Sequence, residues 1–388
     1  MDQTNRIDAP RAAPAAPDTA PEISLWTDRL GGFIERHPKL MRKLASWENK
    51  ALGEQLAETQ IRAPVYVTGL ARSGSTILLE LLNAHPAFAS HRYRDFPAVM
   101  TPWMWNWFVD KASRREAAPA ERAHKDRLKV TPESPEAFEE VLWMNFFEGL
   151  HGGGADEVLD EETSNPEFEA FYRDHIRKIL MIRGGARYLA KANYHVTRLA
   201  YLHKLFPDAR FVVPIRDPVW HIASLMKQHS LFTRQQAYDP RVLDHFRRAG
   251  HFEFGLGRRA IAVGPEGGED IEQLWKTGEE AAGWAALWNL VYGHLAHQLQ
   301  SNPELLAATV IVRYEDLCAN PRATFGDILA HCGLKSGGLA DLAASTLSAP
   351  DYYQPKFSRA DLDEIEARTR ATARLFGYQV REKAAAGS

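Results

Sequence analysis

The sequence predicts an α/β fold in which a mostly parallel sheet is flanked by helices within one large domain. Short runs of β-branched and aromatic residues alternate along the chain with stretches of helical periodicity, and this alternation is typical of strand–helix–strand crossover units. The composition agrees, because 45% of the 388 residues are hydrophobic and 25% are charged, which is ordinary for a globular protein with a large core.

The charge and cysteine content narrow the class of protein. The 47 Lys and Arg residues nearly balance the 50 Asp and Glu residues, so no broad basic surface for nucleic acid is expected and any anionic ligand must bind at a local site. Two cysteines are too few for a disulfide framework. No apolar run approaches the ~20 residues of a membrane span, and the N-terminus lacks the apolar core of a secretory signal. We therefore expect a soluble, cytoplasmic protein with no transmembrane segment.

Residues 1–62 divide into two parts. Residues 1–22 are rich in Ala and Pro and are predicted to be a disordered tail. Residues 23–62 carry apolar side chains at three- and four-residue spacing, which predicts a helical segment. Pro38 should divide this segment into two helices, because proline lacks an N–H group and restricts the residue before it.

Residues 63–383 are predicted to form the main domain. Its strand candidates are a run of β-branched and aromatic residues at 63–68 and further runs at 187–191, 209–215 and 308–314. The helical patterns that follow them lie at 75–85, 196–205, 218–227 and 321–331, and a last helix is predicted over 357–380. Two stretches, about 100–175 and 230–275, break this rhythm. We interpret them as insertions, which in such folds often border the ligand site at the carboxyl ends of the strands.

The sharpest local motif follows the first predicted strand and opens a helix. Residues 69–76 are GLARSGST, which has the spacing of the phosphate-binding loop G-x-x-x-x-G-K-[ST] but carries Ser75 in place of the lysine. Its glycines allow backbone N–H groups to turn towards an anion, and Arg72 adds a cation with bidentate geometry. The alternative is a structural turn that uses glycine for positive φ and serine for capping. Without the lysine, hydrolysis or transfer of a γ-phosphoryl group is hard to support.

A second motif lies at the end of the third predicted strand. Residues 211–224 are FVVPIRDPVWHIAS, which puts Arg216 at the strand end and Ser224 about two helical turns later. Both side chains could reach a phosphate at the carboxyl edge of the sheet. The alternative is a salt bridge between Arg216 and Asp217 or another acid, with Ser224 only packing.

Together the two motifs resemble the sulfotransferases that use 3′-phosphoadenosine 5′-phosphosulfate (PAPS), in particular the bacterial branch related to tyrosylprotein and carbohydrate sulfotransferases. The family's 5′-phosphosulfate loop is similar to VYVTGLARSGSTILLELLNAHP, and its 3′-phosphate motif is similar to FPDARFVVPIRDPVWHIASLMKQH. A later strand and the closing helix resemble IVRYEDL and RTRATARLFGY. The matches keep the family's order across about residues 63–380. The resemblance implies a P-loop-type parallel sheet flanked by helices, with helical insertions forming the acceptor site.

The resemblance also implies roles for individual residues in sulfuryl transfer from PAPS. Those expected to hold the 5′-phosphosulfate are Arg72, Ser73, Gly74, Ser75 and Thr76. The other nucleotide-binding residues are Arg216 and Ser224 at the 3′-phosphate, Tyr314 beside the nucleotide, and Ser348 and Lys356 in a loop that closes over it. Catalytic roles fall to Lys191 and Arg72, which stabilise charge on the bridging oxygen. No metal is expected to be required.

The acceptor hydroxyl needs a base within hydrogen-bond reach. Related tyrosylprotein enzymes carry a catalytic glutamate shortly after the phosphate loop, and the nearest acid in that region here is Asp95. His91 is the second candidate and His195 the third, because other sulfotransferase branches use histidine.

The acceptor itself is predicted from the aromatic run PWMWNWF at residues 102–108 and from the roomy insertions. Aromatic faces stack on sugars, so a hydroxyl on a carbohydrate or glycolipid is the preferred acceptor, while a small phenol, a lipid or a peptide tyrosine stays open. The alternative for the aromatic run itself is core packing of a helix. Two rival functions are a phosphotransferase with a degenerate loop and a non-catalytic nucleotide-binding protein. The first would need a carboxylate-held magnesium and a lysine that reaches the γ-phosphate, and neither is evident. The oligomeric state is not predicted.

Overall fold

The computed structural model of the chain describes residues 23–112, 120–121, 129–152, 157–264, 267–348 and 355–379. Its strands are β1 (Val65–Val67), β2 (Phe88–Ala89), β3 (Ala120–Glu121), β4 (Lys129–Val130), β5 (Arg187–Lys191), β6 (Arg210–Ile215) and β7 (Thr309–Arg313). Its α-helices are α1 (Leu25–Arg36), α2 (Pro38–Ala51), α3 (Gly53–Glu58), α4 (Ser75–Asn83), α5 (Pro102–Ala112), α6 (Glu139–Phe146), α7 (Pro166–Arg183), α8 (Leu199–Leu205), α9 (Pro218–Tyr238), α10 (Pro240–Arg248), α11 (Gly267–Lys276), α12 (Glu280–Ser301), α13 (Pro303–Ala308), α14 (Tyr314–Ala319), α15 (Pro321–His331), α16 (Leu339–Thr346) and α17 (Arg359–Leu375). Residues 1–22, predicted to be a disordered tail, lie outside the described residues.

The central sheet has five parallel strands in the order β2-β5-β1-β6-β7. Strand β1 lies in the middle, so that Val67 pairs with Lys191 of β5 on one side and with Val212 of β6 on the other. Because all five strands run the same way, their carboxyl ends share one edge of the sheet. That edge brings together the segments that follow β1, β5, β6 and β7.

Apolar side chains cover both faces of this sheet. On β1, Tyr66 belongs to one buried cluster while Val65 and Val67 belong to another, since successive side chains of a strand point to opposite faces. The first cluster includes Trp288 of α12, and the second includes Leu82 of α4. Helices therefore pack on both faces, and the predicted α/β fold with a parallel sheet flanked by helices is confirmed.

Most predicted elements occur at their predicted positions. Helix α1 ends at Arg36 and α2 begins at Pro38, which confirms the division made by the proline. Helix α9 continues to Tyr238, beyond the predicted end at 227, because its inward side stays buried as far as Gln236. Strand β2 was not predicted, since two residues are too few to show a periodic pattern.

The two predicted insertions are largely helical where the structure describes them. The first contains α5, α6, the start of α7 and the antiparallel pair β3–β4. The second contains the end of α9 together with α10 and α11. The domain boundaries around them stay a prediction. Among the described residues, no helix is both long and apolar enough to span a bilayer.

Candidate functional site

The loop after β1 turns sharply at two glycines. Gly69 has a φ of +145° and Gly74 a φ of +107°, both in the region that favours glycine. A Cβ on Gly69 would lie 2.9 Å from the carbonyl oxygen of Pro214, and a Cβ on Gly74 would lie 2.6 Å from Cδ2 of Tyr314. Neither position has room for a side chain, so the loop closes tightly between β6 and the Tyr314 ring.

This loop leads directly into α4, which begins at Ser75. Ser73 and Ser75 are buried and Thr76 is half-buried. Arg72 has a φ of +70°, which is uncommon for a residue other than glycine and is often found at functional turns. The first N–H groups of a helix lack intrahelical partners and the positive end of the helix dipole lies there, so the turn suits a phosphate or sulfate group.

One side of α9 contacts the loop. Nε of Arg72 donates to Oγ of Ser224 at 3.2 Å, and Nε2 of His221 donates to the carbonyl oxygen of Ala71 at 2.8 Å. Lys227 lies one turn beyond Ser224, and its pKa is lowered by burial and then by the positive charge of Arg72. Because residues at three-residue spacing share a helix face, α9 both orients Arg72 and adds a second cation beside it.

His221 is uncharged at neutral pH. Burial lowers its pKa to about 3, and the charges of Arg216 and Arg72 act in the same direction, although the hydrogen bond to Ala71 opposes them. Because a carbonyl oxygen only accepts, the ring carries its proton on Nε2. His221 therefore fixes the loop backbone without adding charge to the site.

Arg216 and Tyr314 follow directly on β6 and β7. The guanidinium carbon of Arg216 lies 5.1 Å from the centroid of the Tyr314 ring, and the same ring packs against Gly74. Tyr314 thus connects the phosphate loop with Arg216. One turn further along α14, Sγ of Cys318 lies 3.7 Å from the backbone oxygen of Ser348, which ties the segment after α16 to this part of the molecule.

The expected alternative for Arg216 was an ion pair with Asp217. The Asp217 carboxylate instead caps α9, where it accepts from the backbone N–H groups of Val219 at 3.0 Å and Trp220 at 3.2 Å. Asp217 is therefore used as the N-terminal cap of α9, and the Arg216 side chain contacts the Tyr314 ring instead.

A second cluster lies where β5 ends beside the strand of the phosphate loop. Lys191 is buried there, and Nδ2 of Asn193 donates to Oε1 of Glu253 at 2.6 Å. Nδ1 of His251 lies 3.7 Å from Oε2 of the same carboxylate. Burial alone would raise the pKa of Glu253, but its contact with His251, the charge of Lys191 and the hydrogen bond from Asn193 lower it overall. Glu253 is therefore ionised at neutral pH.

The structure brings most of the predicted nucleotide-binding residues to this edge of the sheet. They are Arg72, Ser73, Gly74, Ser75, Thr76, Arg216, Ser224 and Tyr314. Ser348 is linked to them through Cys318. Lys356 is exposed, and residues 349–354 between it and Ser348 lie outside the described residues, so its role stays a prediction.

Asp95, the first candidate for the base, lies in the interior with 0% of its surface exposed. It pairs with Arg183, accepts from Nδ2 of Asn106 at 2.9 Å, and accepts from the backbone N–H of Arg92 at 2.8 Å. Burial alone would raise the pKa of Asp95, but the hydrogen bond from His91 and the charge of Arg183 hold it well below its usual range. These contacts join the turn after β2 to α5 and α7, which is a structural arrangement.

The two histidine candidates are also enclosed. Nε2 of His91 lies 3.1 Å from Nε2 of His175, with the two rings stacked. Nε2 of His195 lies 2.8 Å from Oε2 of Glu139, whose carboxylate also accepts from Tyr188. Neither ring can meet an acceptor unless the surrounding core is rearranged.

Three residues of the site were not predicted from the sequence. His221 and Lys227 lie at three-residue spacing on either side of Ser224, and this shared helix face could have indicated them. Glu253 lies in a predicted insertion and is the one acid in the run HFEFG. The only sequence feature that could have indicated a functional role is this charge between two aromatic residues. Its approach to Lys191 depends on tertiary contacts that no local pattern reports.

Two anionic groups would fit the site as it stands. The phosphate loop, with Arg72 and the start of α4, offers one position, and Arg216 beside the Tyr314 ring offers another. An aromatic ring between the two suits a purine nucleoside that carries both groups. Across the described ranges, no three His, Cys, Asp or Glu side chains are grouped as metal ligands.

Comparison with known proteins agrees with this geometry. Residues 64–254 match the sequence profile of the sulfotransferase family. Two curated relatives are named omega-hydroxy-beta-dihydromenaquinone-9 sulfotransferase Stf3, one from Mycobacterium bovis and one from Mycobacterium tuberculosis. Each is 22% identical over 314 residues, which cover 75% of this chain and 68% of the relative.

A solved structure gives the same answer for the fold. The sulfotransferase STF9 from Mycobacterium avium aligns with a TM-score of 0.55 at 12% identity, over 94% of this chain and 90% of that one. The matched profile begins at the strand that precedes the phosphate loop and includes both phosphate motifs. The part of the chain that carries both phosphate motifs accordingly matches the sulfotransferase family, and the chain is a sulfotransferase.

Proposed function

We propose that this sulfotransferase takes its sulfuryl group from PAPS and transfers it to a hydroxyl group on a lipid-like acceptor. The observation that carries the donor assignment is the position of Arg216, whose guanidinium stacks on the Tyr314 ring beside the phosphate loop. A separate cation next to a phosphate loop suits a nucleotide with a ribose phosphate in addition to its 5′ group. PAPS carries a phosphate on the ribose 3′ oxygen, whereas ATP and ADP carry phosphates only at the 5′ position.

The residues fit the donor in the following way. The turn from Arg72 to Thr76 would hold the 5′-phosphosulfate through its backbone N–H groups, its hydroxyls and the Arg72 guanidinium. Arg216 and Ser224 would bind the 3′-phosphate, and the Tyr314 ring would lie along the nucleoside. Ser224 accepts a hydrogen bond from Arg72, so the two anion positions are linked through one side-chain contact.

Sulfuryl transfer forms a bond from the acceptor oxygen to sulfur and breaks the bond from sulfur to the bridging oxygen, which keeps the electron pair on the departing nucleotide. Lys191 and Arg72 would stabilise the negative charge that develops on that oxygen. Lys191 suits this role because it ends the strand next to β1, in register with Val67. The hydroxyl proton must go to a base on the acceptor side.

We assign the base to Glu253 in preference to Asp95, His91 or His195. Glu253 is ionised, is held by Asn193, and lies within the electrostatic reach of Lys191. Its side chain is 11% exposed, whereas the side chain of Asp95 is fully enclosed. A carboxylate this close to the transferring group can accept the proton of the acceptor hydroxyl.

We propose that the acceptor is a lipid rather than a carbohydrate, a small phenol or a peptide tyrosine. The support is the name of the relatives from Mycobacterium, which describes a hydroxylated menaquinone as their substrate. A hydroxyl at the end of an apolar chain is consistent with the exposed tryptophans of α5, which do not line an enclosed sugar-binding cleft.

Calorimetric titration with 3′-phosphoadenosine 5′-phosphate, ADP and ATP, each with and without magnesium, tests the donor assignment. We expect tight, metal-independent binding of the 3′-phosphorylated nucleotide only. Preference for ATP with magnesium would instead support a phosphotransferase with a degenerate loop. Binding of none of the three would support a non-catalytic relative.

Replacement of Arg216 tests the 3′-phosphate position directly. We expect Arg216→Ala to weaken binding of 3′-phosphoadenosine 5′-phosphate by about 10- to 100-fold, the range for a hydrogen bond to a charged group, and to leave adenosine 5′-phosphosulfate nearly unaffected. Arg210→Ala is the matched control, because Arg210 begins the same strand at the opposite edge of the sheet. Equal losses for both nucleotides would remove Arg216 from this role.

A further inference from the structure

An exposed group of large apolar side chains lies on α1, α2 and α5. We call it the aromatic surface and define it by Phe33, Trp47, Trp103, Met104, Trp107 and Phe108, all of which are exposed. Trp47 and Trp107 expose 65% and 54% of their surface. Such a concentration of exposed aromatic side chains is unusual for a soluble surface and marks a site of interaction.

The helices that carry these side chains meet. Oε1 of Glu48, next to Trp47 on α2, accepts from the backbone N–H of Met104 on α5 at 2.7 Å. On the α1 side, the Phe33 ring stacks on His37, which directly precedes α2. The aromatic side chains of α5 recur at four-residue spacing, from Trp103 to Trp107, and so lie along one side of the helix.

The acidic side chains of the three helices that carry the aromatic surface are paired with basic side chains. Every acidic side chain on α1 and α2 is paired within the protein: Asp28 and Glu35 with Arg248 at 2.7 and 3.0 Å, and Glu48 with Lys178 at 2.6 Å. Asp110, the acid of α5, is paired with Arg94.

Basic side chains, in contrast, border the aromatic surface and point into solvent. They are Arg29, Arg36, Lys39, Lys43, Lys50 and Lys111. Nζ of Lys111 lies 3.9 Å from the ring centroid of Trp107, so cations and aromatic rings are interleaved. The net charge of the whole chain is only -3, so this positive border is a local feature.

We propose that the aromatic surface binds the surface of a bilayer that contains anionic phospholipids, and that the enzyme meets its acceptor there. Tryptophan is favoured at the boundary between headgroups and acyl chains, and lysine can keep its ammonium group among the headgroups while its stem covers apolar surface. A protein partner fits less well, because lysine is depleted from protein–protein interfaces. The inference rests on the proposed function only for the lipid nature of the acceptor; the surface itself is independent of the nucleotide site.

Sedimentation of the full chain with vesicles tests the proposal. We expect co-sedimentation with vesicles of phosphatidylcholine and phosphatidylglycerol, weaker binding to phosphatidylcholine alone, and weakening with rising salt concentration. Trp47→Ser combined with Trp107→Ser should abolish binding. Leu306→Ser combined with Leu375→Ser is the matched control, because these side chains are 52% and 58% exposed on α13 and α17. Lys43→Glu combined with Lys50→Glu should reduce binding at least about 10-fold, and Lys335→Glu should not.

The thermal unfolding midpoint of each variant shows whether it is folded, and calorimetry with 3′-phosphoadenosine 5′-phosphate reports the nucleotide site separately. Absence of sedimentation by the folded, unsubstituted chain would overturn the proposal, as would an equal loss in the control pair. A dimer in solution that the tryptophan substitutions convert to a monomer would assign the surface to self-association instead. A chain that binds vesicles but no nucleotide would retain the surface and lose the proposed function.

Discussion

At the scale of single residues, Asp95 is fully buried and Glu253 is mostly buried, and both carboxylates have lowered pKa values, yet their partners differ. Oδ1 of Asp95 contacts Arg183 and Asn106, and Oδ2 accepts from the backbone N–H of Arg92, so the carboxylate holds the turn after β2 to α5 and α7. Glu253 has its neighbours at the end of β5, where Lys191 contributes to its pKa through charge. A proton acceptor must be reached by its substrate, and this separates the two acids more clearly than their pKa values do.

Substitution of the two carboxylates by their amides distinguishes these roles. We expect Glu253→Gln to lower turnover with PAPS and an isoprenoid alcohol by about 100- to 10,000-fold, the usual contribution of a general base, with little change in nucleotide affinity. Asp95→Asn should instead lower the free energy of unfolding by about 3–5 kcal/mol, because it leaves Arg183 without its buried partner. Urea denaturation and single-turnover kinetics measure the two effects. A stable Asp95→Asn protein without activity would return the base to Asp95.

At the scale of the elements, the phosphate loop depends on contacts made by distant strands. Gly74 directly precedes α4, but the atom that leaves no room for a side chain at Gly74 belongs to Tyr314, which follows β7. The GLARSGST spacing predicts the loop, and the short runs that contain apolar residues predict β5, β6 and β7. Glu253 could not be predicted in the same way, because its place beside Lys191 arises from the path of a long insertion.

An alanine at Gly74 tests how closely the loop is packed. The added Cβ would lie 2.6 Å from the Tyr314 ring at a φ of +107°, so the loop must shift at a cost of about 1–3 kcal/mol. We expect Gly74→Ala to weaken binding of 3′-phosphoadenosine 5′-phosphate by at least about 10-fold in calorimetry. Gly326→Ala on α15 is the control: no atom lies within 4 Å of its Cβ, and the helix should gain about 0.5–1 kcal/mol. Unchanged affinity in Gly74→Ala would mean that the nucleotide does not use this turn.

At the scale of the whole molecule, buried ion pairs and histidines connect the helical insertions to the sheet. Glu140 on α6 accepts from Arg198 at 2.8 and 2.9 Å and contacts His151 at 2.6 Å, all within the interior. Lys178 of α7 pairs with Glu48 of α2 in the same fully buried way. Removing one member of such a pair leaves an uncompensated charge, so the fold depends strongly on the protonation state of these groups.

Stability should therefore fall steeply in acid, in two stages. Burial lowers the pKa of His221 to about 3 from the ordinary 6.5, so the unfolded chain takes up this proton first and stability begins to fall below pH 6.5. Burial alone would raise the pKa of Glu140, but the charge of Arg198 and the hydrogen bond from His151 hold it at about 2 against an ordinary 4.5.

The contribution of Glu140 is fully present above pH 4.5 and is lost as the pH falls through 2, with a total on the order of 3 kcal/mol. Urea denaturation at a series of pH values measures it. Glu140→Gln should be less stable at neutral pH and should lose less stability between pH 4.5 and 3 than the unsubstituted chain. Glu304→Gln on the surface of α13 is the control and should follow the unsubstituted chain. If all three proteins showed the same slope in this range, the buried pair would not govern the acid response, and other carboxylates would have to carry it.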